Sequence, residues 1–156
     1  MSRRNDITQE IVTELKRIDG GVDTRPIEGA YTYNTNVFNN VFDKFLFMNE
    51  INDFPTITIS KGDGEDRFYY GAGTKEGEID MLIRGYVKGS ESQDHADDLA
   101  EDIEHAVDML NQTINSGTCD IIDALVTTVN TDEGLFEPFG LCDVRVYIRY
   151  EVKEYV

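Results

Sequence analysis

The sequence predicts an α+β fold: a mostly antiparallel sheet of about four to five strands, with an N-terminal helix and one long helix packed on one face. Two segments carry this prediction. Residues 141–153 alternate apolar and polar side chains, as in a strand with one buried and one solvated face. Residues 92–115 instead repeat apolar side chains at helical spacing for about six turns. The sequence shows no internal repeat or interdomain linker, so residues 1–156 are expected to form a single domain.

The chain begins with a predicted helix and continues less regularly. Residues 6–18 place their apolar side chains on one stripe, with Asn5 or Asp6 as the expected N-cap and the glycine pair at 20–21 as the stop. A polar connection follows. The aromatic and β-branched content of the next segment predicts a strand near 36–43, although its apolar spacing also fits a helix.

The remaining strands are separated by glycine-rich segments and by the long helix. Residues 61–67 have turn chemistry, so the strand before them is expected to form a hairpin with the strand after them. GAGTKEG, residues 71–77, is expected to interrupt the sheet again. The predicted strands span residues 54–60, 67–70, 78–88, 119–130 and 141–153.

The net charge limits the possible partners. With 31 acidic and 14 basic residues the chain carries a net charge of −17, and its pI is near 4.3. Such a chain is repelled by phosphate backbones and by anionic membranes, so nucleic-acid binding through a basic patch is disfavoured. The N-terminus has no apolar region typical of a signal peptide, and no apolar run is long enough to span a membrane. We expect a soluble, intracellular protein with two free thiols.

The long helix carries the densest charge in the chain. Residues 91–110, ESQDHADDLAEDIEHAVDML, contain eight carboxylates and two histidines without a lysine or arginine. Helical geometry places one group of residues on an apolar stripe: Ala96, Leu99, Ala100, Ile103, Ala106, Val107, Leu110 and Ile114. It places a second group on the opposite face: Asp94, Asp98, Glu101, His105, Asp108 and Gln112.

A metal site on this helix is the alternative interpretation. Asp98, Asp102 and His105 have the spacing i, i+4, i+7 and could share a metal ion in a small acidic metal-dependent enzyme. Metal ligands need a concave, partly dry setting, whereas the helical pattern places these three on the solvated face. We therefore predict a scaffold helix and assign no catalytic, cofactor-binding or metal-binding residue.

Two segments carry apolar residues that a simple surface does not explain. The loop TDEGLFEPFG, residues 131–140, is longer than most hairpin loops. The extended segment at 67–70 has three successive aromatic residues, of which at least one must face outward. Apolar side chains in such places either fold back onto the core or contact a partner. The candidate interface residues are Phe68, Tyr69, Tyr70, Asp132, Glu133, Leu135, Phe136 and Phe139.

The same loop carries a family resemblance. VNTDEGLFEPFGLCDVRVYIRY, residues 129–150, resembles the C-terminal segment of tail terminator proteins from long-tailed, siphovirus-type bacteriophages. There a strand, a Thr-Asp-Glu-Gly-Leu turn, a Pro-aromatic-Gly-Leu element and an alternating last strand occur in this order. NEINDFPTITISKG, residues 49–62, resembles a second segment of these proteins. Neither motif is a catalytic signature, so the resemblance rests on the shared order and spacing.

The resemblance implies a structural protein of the virion tail. Members of this family are small α+β proteins that form hexameric rings, cap the tail tube at its head-proximal end and offer a surface to the neck or head-completion protein. No cofactor, catalysis or membrane is implied, and assembly is expected in the host cytoplasm. DNA is expected to pass through the lumen without specific binding. Six copies would carry a charge of about six times −17, near −102, so salt should favour ring formation.

Three rivals stay open at this point. A neighbouring neck or tail-completion protein would share the fold and the ring symmetry. A metal-dependent enzyme would use the three helix residues named above. A monomeric protein–protein binding module would use the same exposed loops without forming a ring.

Overall fold

The computed structural model describes residues 3–62, 64–71, 73–112 and 121–153 and confirms the α+β class. The described residues contain two α-helices, α1 (Arg3–Leu15) and α2 (Ser92–Gln112). A single 3-10 turn covers Met48–Glu50. The strands are β1 (Val22–Asp23), β2 (Tyr31–Thr32), β3 (Val41–Phe42), β4 (Thr56–Lys61), β5 (Asp66–Gly71), β6 (Thr74–Lys88), β7 (Ile121–Thr131) and β8 (Phe139–Lys153).

The main sheet has six strands and is mixed. The sequence analysis predicted four to five strands in a mostly antiparallel sheet. Its order is β3-β4-β6-β8-β7, and β5 pairs with β6 beyond the end of β4. Every pair in it is antiparallel except β3–β4, which is parallel. The strands β1 and β2 form a separate antiparallel ribbon.

The longest pairing in the sheet is between β6 and β8. Both strands have 15 residues, and the register runs without interruption from Thr74 opposite Lys153 to Lys88 opposite Phe139. At a rise of about 3.4 Å per residue, this pair extends over roughly 45 Å. The expected interruption at 71–77 is therefore wrong, because Thr74 to Gly77 already belong to β6.

The length of β6 also explains why the expected β4–β5 hairpin is wrong. β4 pairs with Met81–Tyr86, and β5 pairs with the region 74–78 of the same strand. One side of β6 thus accommodates two short strands in succession. Turn chemistry between two strands shows that the chain changes direction there, but it does not show which strand each one pairs with.

Helix α1 begins and ends earlier than predicted. It starts at Arg3, so Asn5 and Asp6 lie inside the helix and neither is its N-cap. It ends at Leu15, before the glycine pair. The predicted apolar stripe is confirmed, and its buried members are Ile7, Ile11, Val12, Leu15 and, just beyond the helix, Ile18.

The segment between α1 and β4 is the least predicted part of the fold. The expected strand near 36–43 is reduced to β3, because the amides of Val37 and Phe38 both donate to the carbonyl of Ile18. Phe38 also has a positive φ of 50°, which breaks an extended backbone. The polar connection expected after the first helix instead contains β1, and β2 follows it directly.

Both helices lie on one face of the sheet, which we call the helix face, and the core lies between them and the strands. The predicted apolar stripe of α2 is buried as far as Leu110, while Ile114 lies outside the described residues. The alternation of the last strand is also confirmed. Its helix-face side chains are all buried: Cys142, Val144, Val146, Ile148, Tyr150 and Val152.

Two sequence expectations concern the thiols and the membrane. Cys142 is a free, buried thiol, and burial raises its pKa to about 12. Cys119 lies outside the described residues, so its free state stays a prediction. Neither α1 nor α2 combines the length and apolar character that a bilayer-crossing helix needs, a statement limited to the described residues.

The contact between α2 and the sheet depends on a glycine in β6. A Cβ atom at Gly85 would lie 2.5 Å from Cδ2 of Leu99 and 2.7 Å from Sγ of Cys142. We predict that Gly85→Ala lowers the free energy of unfolding by about 1–3 kcal/mol, since the helix must move away from the sheet. Urea unfolding followed by circular dichroism measures this change.

Gly64→Ala is the matched control for this prediction. A Cβ at Gly64 has no neighbour within 4 Å, so the variant should be neutral or slightly stabilised. Equal unfolding midpoints for the two variants would contradict the close packing of α2 on β6.

Candidate functional site

Asp102 does not lie on the solvated face of α2 where the sequence analysis placed it. Asp102 is fully buried, and its carboxylate accepts four hydrogen bonds. Tyr31 Oη donates at 2.7 Å and the Asn34 amide at 3.0 Å. The amide and hydroxyl of Thr35 donate at 2.8 and 2.6 Å. The β1–β2 ribbon covers this part of α2 and brings these donors with it, so both buried carboxylate oxygens are hydrogen-bonded.

The expected exposure of His105 is also wrong. Its Nε2 lies 2.9 Å from Oδ2 of Asp23 in β1, and its ring stacks on Tyr31 at a centroid distance of 3.9 Å. Asp98 alone of the three metal candidates is exposed. Burial and the neighbouring Asp102 raise the pKa of the Tyr31 hydroxyl above its usual 10.0, which keeps it a donor.

Asp23 connects the ribbon to both helices. Its carboxylate accepts from Arg25 Nε at 2.9 Å, and Arg25 Nη2 also lies 2.5 Å from Oε1 of Glu14 in α1. Burial acts to raise the pKa of Asp23, but the hydrogen bonds from Arg25 and His105 outweigh it. The pKa of Asp23 therefore lies well below its usual 3.8. The chain Glu14–Arg25–Asp23–His105 is a buried charge network that holds the ribbon in place.

This geometry is structural rather than metal-binding. Within the described ranges, no group of three histidine, cysteine, aspartate or glutamate side chains is close enough to hold a metal ion. The Asp102 oxygens are already occupied by protein donors. The described residues therefore give no support to the metal-dependent enzyme that the helix spacing allowed.

The predicted loop residues form an exposed patch at one end of the sheet. Leu135 is 81% exposed and Phe136 is also exposed. The Asp132 side chain accepts from the amides of Gly134 and Phe136, both at 3.4 Å, and Glu133 has a positive φ of 56°. We call Asp132, Glu133, Leu135 and Phe136 the loop patch. The side chains of Leu135 and Phe136 thus face outward from a hydrogen-bonded turn.

Phe139 differs from its neighbours in the loop. It is the first residue of β8 and is only partly exposed. Its ring lies 5.8 Å from the ring of Phe54, and Lys88 Nζ is 5.4 Å from its centroid. The sequence left open whether the apolar loop residues fold back onto the core or remain available to a partner. Phe139 folds back onto the protein, whereas Leu135 and Phe136 do not.

The three aromatic residues of β5 are all exposed. The sequence pattern required at least one of them to be exposed. We call Phe68, Tyr69 and Tyr70 the strand patch; Tyr69 is 68% exposed. The strand pairs with β6 on one side only among the described strands. Lys75 Nζ lies 5.5 Å from the Tyr69 ring centroid, and Tyr70 Oη donates to Glu76 at 3.1 Å.

The structure separates the predicted interface residues into two groups. Tyr69 is opposite Lys75 near the start of β6, whereas Phe139 is opposite Lys88 at its end. Thirteen residues of extended strand therefore separate the strand patch from the loop patch, or roughly 44 Å. The two patches lie at opposite ends of the molecule.

The sequence analysis missed a third exposed group. Phe42, Phe45 and Phe47 are exposed around Lys44 at the β3 edge of the sheet, and the rings of Phe45 and Phe47 pack edge to face at 4.9 Å. We call residues 42–47 the aromatic segment. The sequence predicted a strand near 36–43 here, with a spacing that also fits a helix, and neither interpretation indicated which aromatic side chains are exposed.

The four donors to Asp102 predict a large cost for removing its carboxylate. Asp102→Ala leaves these donors without an acceptor, so we expect a loss of about 3 kcal/mol in the free energy of unfolding. Urea unfolding of Asp98→Ala, an exposed residue of the same helix, is the control and should change by less than about 0.5 kcal/mol. Adding EDTA should change neither value, whereas a metal site would make EDTA destabilise the wild type and not Asp102→Ala.

The network around Asp23 predicts a pH dependence with a defined sign. Because its pKa is lowered in the folded state, Asp23 stabilises the protein above its usual pKa of 3.8. This stabilisation is lost as the pH falls through the lower folded value. Thermal unfolding from about pH 5 downward should show a steep loss of stability that is shallower in Asp23→Asn. Asp97→Asn, exposed on α2, should follow the wild-type slope; a wild-type slope in Asp23→Asn would contradict the role of the network.

Comparison with known proteins identifies the family. A family profile described as Bacteriophage Tail Tube Terminator Protein matches residues 1–156. The chain is also similar to the tail tube terminator protein p142 of Escherichia phage T5, with 30% identity over 161 residues that cover 97% of this chain and 95% of that protein. The resemblance seen in the loop sequence is confirmed by these matches. The chain belongs to the family of bacteriophage tail tube terminator proteins.

Proposed function

We propose that this chain forms a ring, expected to be hexameric, that caps the phage tail tube, ends its polymerisation and offers a tail-side surface for joining the head or neck. Family membership supports the tail terminator role. The observation that carries the finer proposal is the separation of the loop patch and the strand patch by roughly 44 Å of continuous strand. A cap needs one surface for the tube and another for the next component, and opposite ends of one rigid sheet provide them.

The two patches have the properties of contact surfaces. Contiguous exposed apolar groups mark interaction sites more often than scattered ones do. The loop patch is also held in a defined shape, since the amide of Leu135 donates to the carbonyl of Asp132 at 3.1 Å and that of Phe139 to Phe136 at 2.8 Å. A preordered loop loses less conformational entropy on binding than a disordered one. The role proposed for both patches is therefore binding, through one domain and without catalysis, cofactor or membrane.

The acidic surface of α2 is consistent with passage of DNA through such a ring. Its exposed carboxylates include Asp94, Asp97, Asp98 and Glu101, and the helix has no lysine or arginine. Acidic side chains offer no counter-ion to a phosphate, so DNA near this surface would not be retained. In this proposal the protein is placed at the head-proximal end of the virion tail after assembly in the host cytoplasm, with the tube protein and the neck protein as its axial partners.

Serine substitutions in each patch test the proposed division of roles. We expect Leu135→Ser/Phe136→Ser and Phe68→Ser/Tyr69→Ser to fold and to form rings, because the substituted side chains are exposed. Each double variant should lose one axial function: one should fail to bind tail tubes in sedimentation assays, and the other should cap tubes but fail to join them to filled heads.

Ile27→Ser is the matched control for both double variants. Ile27 is 88% exposed and belongs to neither patch, so this change should affect neither assay. The proposal is wrong if both double variants cap tubes and join heads as the wild type does. It is equally wrong if the wild type never binds tube ends.

A further inference from the structure

Strand β7 forms an edge of the sheet that carries neither a charged residue nor a proline over its last eight residues. It has 11 residues and pairs with β8 on one side, and no strand within the described ranges pairs with its other side. From Ala124 to Thr131 it contains no charged residue and no proline. Two irregularities, near residues 122 and 127, are its only bulges in the register with β8. Natural edge strands are usually protected by a charge, a proline or a bulge. β7 has two bulges but neither a charge nor a proline from 124 to 131, so the regular stretches between and after the bulges are a template for another strand.

A groove runs beside this edge and defines what could occupy it. Its volume is about 460 Å³, and it is lined by α2 on one side and by residues 124–129 of β7 on the other. Leu125 and Val129 are exposed there. On the helix side lie Glu104 and Asp108, one turn apart, and neither has an ion pair within the described part of the chain. An extended segment with apolar side chains and a cation would complement this groove.

The opposite edge of the same sheet carries a segment with exposed apolar side chains and a cation. In the strand order, β3 is the first strand and β7 is the last, and the aromatic segment follows directly from β3. Lys44 is exposed in the middle of it and has no ion pair among the described residues. Its neighbours Phe42, Phe45 and Phe47 are exposed as well. Lys44 therefore provides a cation for the groove carboxylates, and the aromatic side chains provide an apolar surface for Leu125 and Val129. The neighbouring carboxylate of Asp43 accepts a hydrogen bond from Gln9.

We propose that the aromatic segment of one copy docks along the β7 edge of the next copy, with Lys44 between Glu104 and Asp108. This inference rests on the proposed ring. A contact between two different surfaces on opposite sides of one subunit is heterologous, and repetition of such a contact by a closing rotation generates a ring. Pairing through the β3 and β7 edges also leaves the loop patch and the strand patch free, since the loop patch lies at one end of the strands and the strand patch lies on β5, which is neither of the two paired strands.

The outer edge of β5 is the competing occupant within the same chain. It lies on the same side of β6 as β4, and all six of its residues are exposed. Its cation, Arg67, is already engaged, with Nη1 at 2.7 Å from Oε2 of Glu65. No described residue forms an ion pair with Lys44, so charge complementarity favours the aromatic segment.

A charge exchange tests the proposed contact. Lys44→Glu and Glu104→Lys/Asp108→Lys should each raise the concentration at which half of the protein is in rings by at least about 10-fold, as measured by mass photometry at fixed salt. The combination of all three substitutions in one chain should restore rings, because the attraction is re-formed with reversed signs. The second variant also reduces the net negative charge, which by itself would favour assembly. A loss of rings in that variant is therefore specific.

Matched controls separate this contact from a general effect of charge. Lys16→Glu is the control for Lys44→Glu and changes an exposed lysine just after α1. Asp94→Lys/Asp98→Lys is the control for the double variant on α2 and changes two acidic residues at the same helical spacing. Neither should lose rings. If the charge-exchange variants assemble as the wild type does, or if the combined variant does not regain rings, the proposed contact is wrong while the capping function stands. If the wild type stays monomeric even with tail tubes, the capping function itself is wrong.

Hydrogen exchange of the assembled ring identifies the occupant of the edge directly. Ring formation should protect amides in both 124–131 and 42–47. Protection of 66–71 in place of 42–47 would assign the edge to β5 and overturn the inference. Protection of 124–131 that arises only when tail tubes are added would assign the edge to the tube protein, with the same consequence.

Discussion

The uninterrupted pairing of β6 with β8 is the constraint on which the rest of this structure depends. Fifteen residues of each strand remain in one antiparallel register, so the two ends of the sheet are fixed roughly 45 Å apart. One side of β6 is long enough for β4 and β5 in succession, and this places the exposed aromatic residues of β5 at one end. The loop that joins β7 to β8 places Leu135 at the other. The separation of the strand patch from the loop patch thus follows from strand length and needs no flexible element.

The many carboxylates of this chain divide into two populations with different physical roles. Asp102 and Asp23 are buried, and each is stabilised by several donors from the ribbon or its neighbours. Buried charges persist in folded proteins only when they are paired in this way. Exposed carboxylates such as Asp98 instead form part of the acidic surface of α2. The same helix therefore uses identical side chains to hold the N-terminal ribbon on one side and to present an acidic surface on another.

Regular periodicity made the central elements predictable from the sequence. The alternation in β8 and the apolar stripe of α2 both depend on a repeated burial pattern, and both are confirmed. The ribbon was not predictable in the same way, because its strands have two residues each and depend on contacts with distant helices. Asp102 was assigned to solvent even though it stands three residues after Leu99 and four before Ala106, both buried, which is the position of a residue beside the apolar stripe.

Only some of the exposed candidate surfaces were predictable from the sequence, because a local pattern does not show which apolar residues the fold leaves uncovered. An apolar residue in a long loop signals exposure, and Leu135 and Phe136 were found on that basis. The aromatic segment gave no such signal, since aromatic residues near a strand are usually core residues and only the tertiary structure shows which of them lack cover. Phe42 lies at the sheet edge beside β4, and no local pattern indicates which strand will be outermost.

The central claim is that a ring of this protein ends tube growth by occupying one end of the tube. Electron microscopy of tail tubes polymerised in the presence of the purified protein tests it most directly. We expect sixfold rings at one end only, and tubes that do not elongate from that end when more tube protein is added. Tubes that continue to elongate from both ends, or protein bound along their length as single copies, would contradict it.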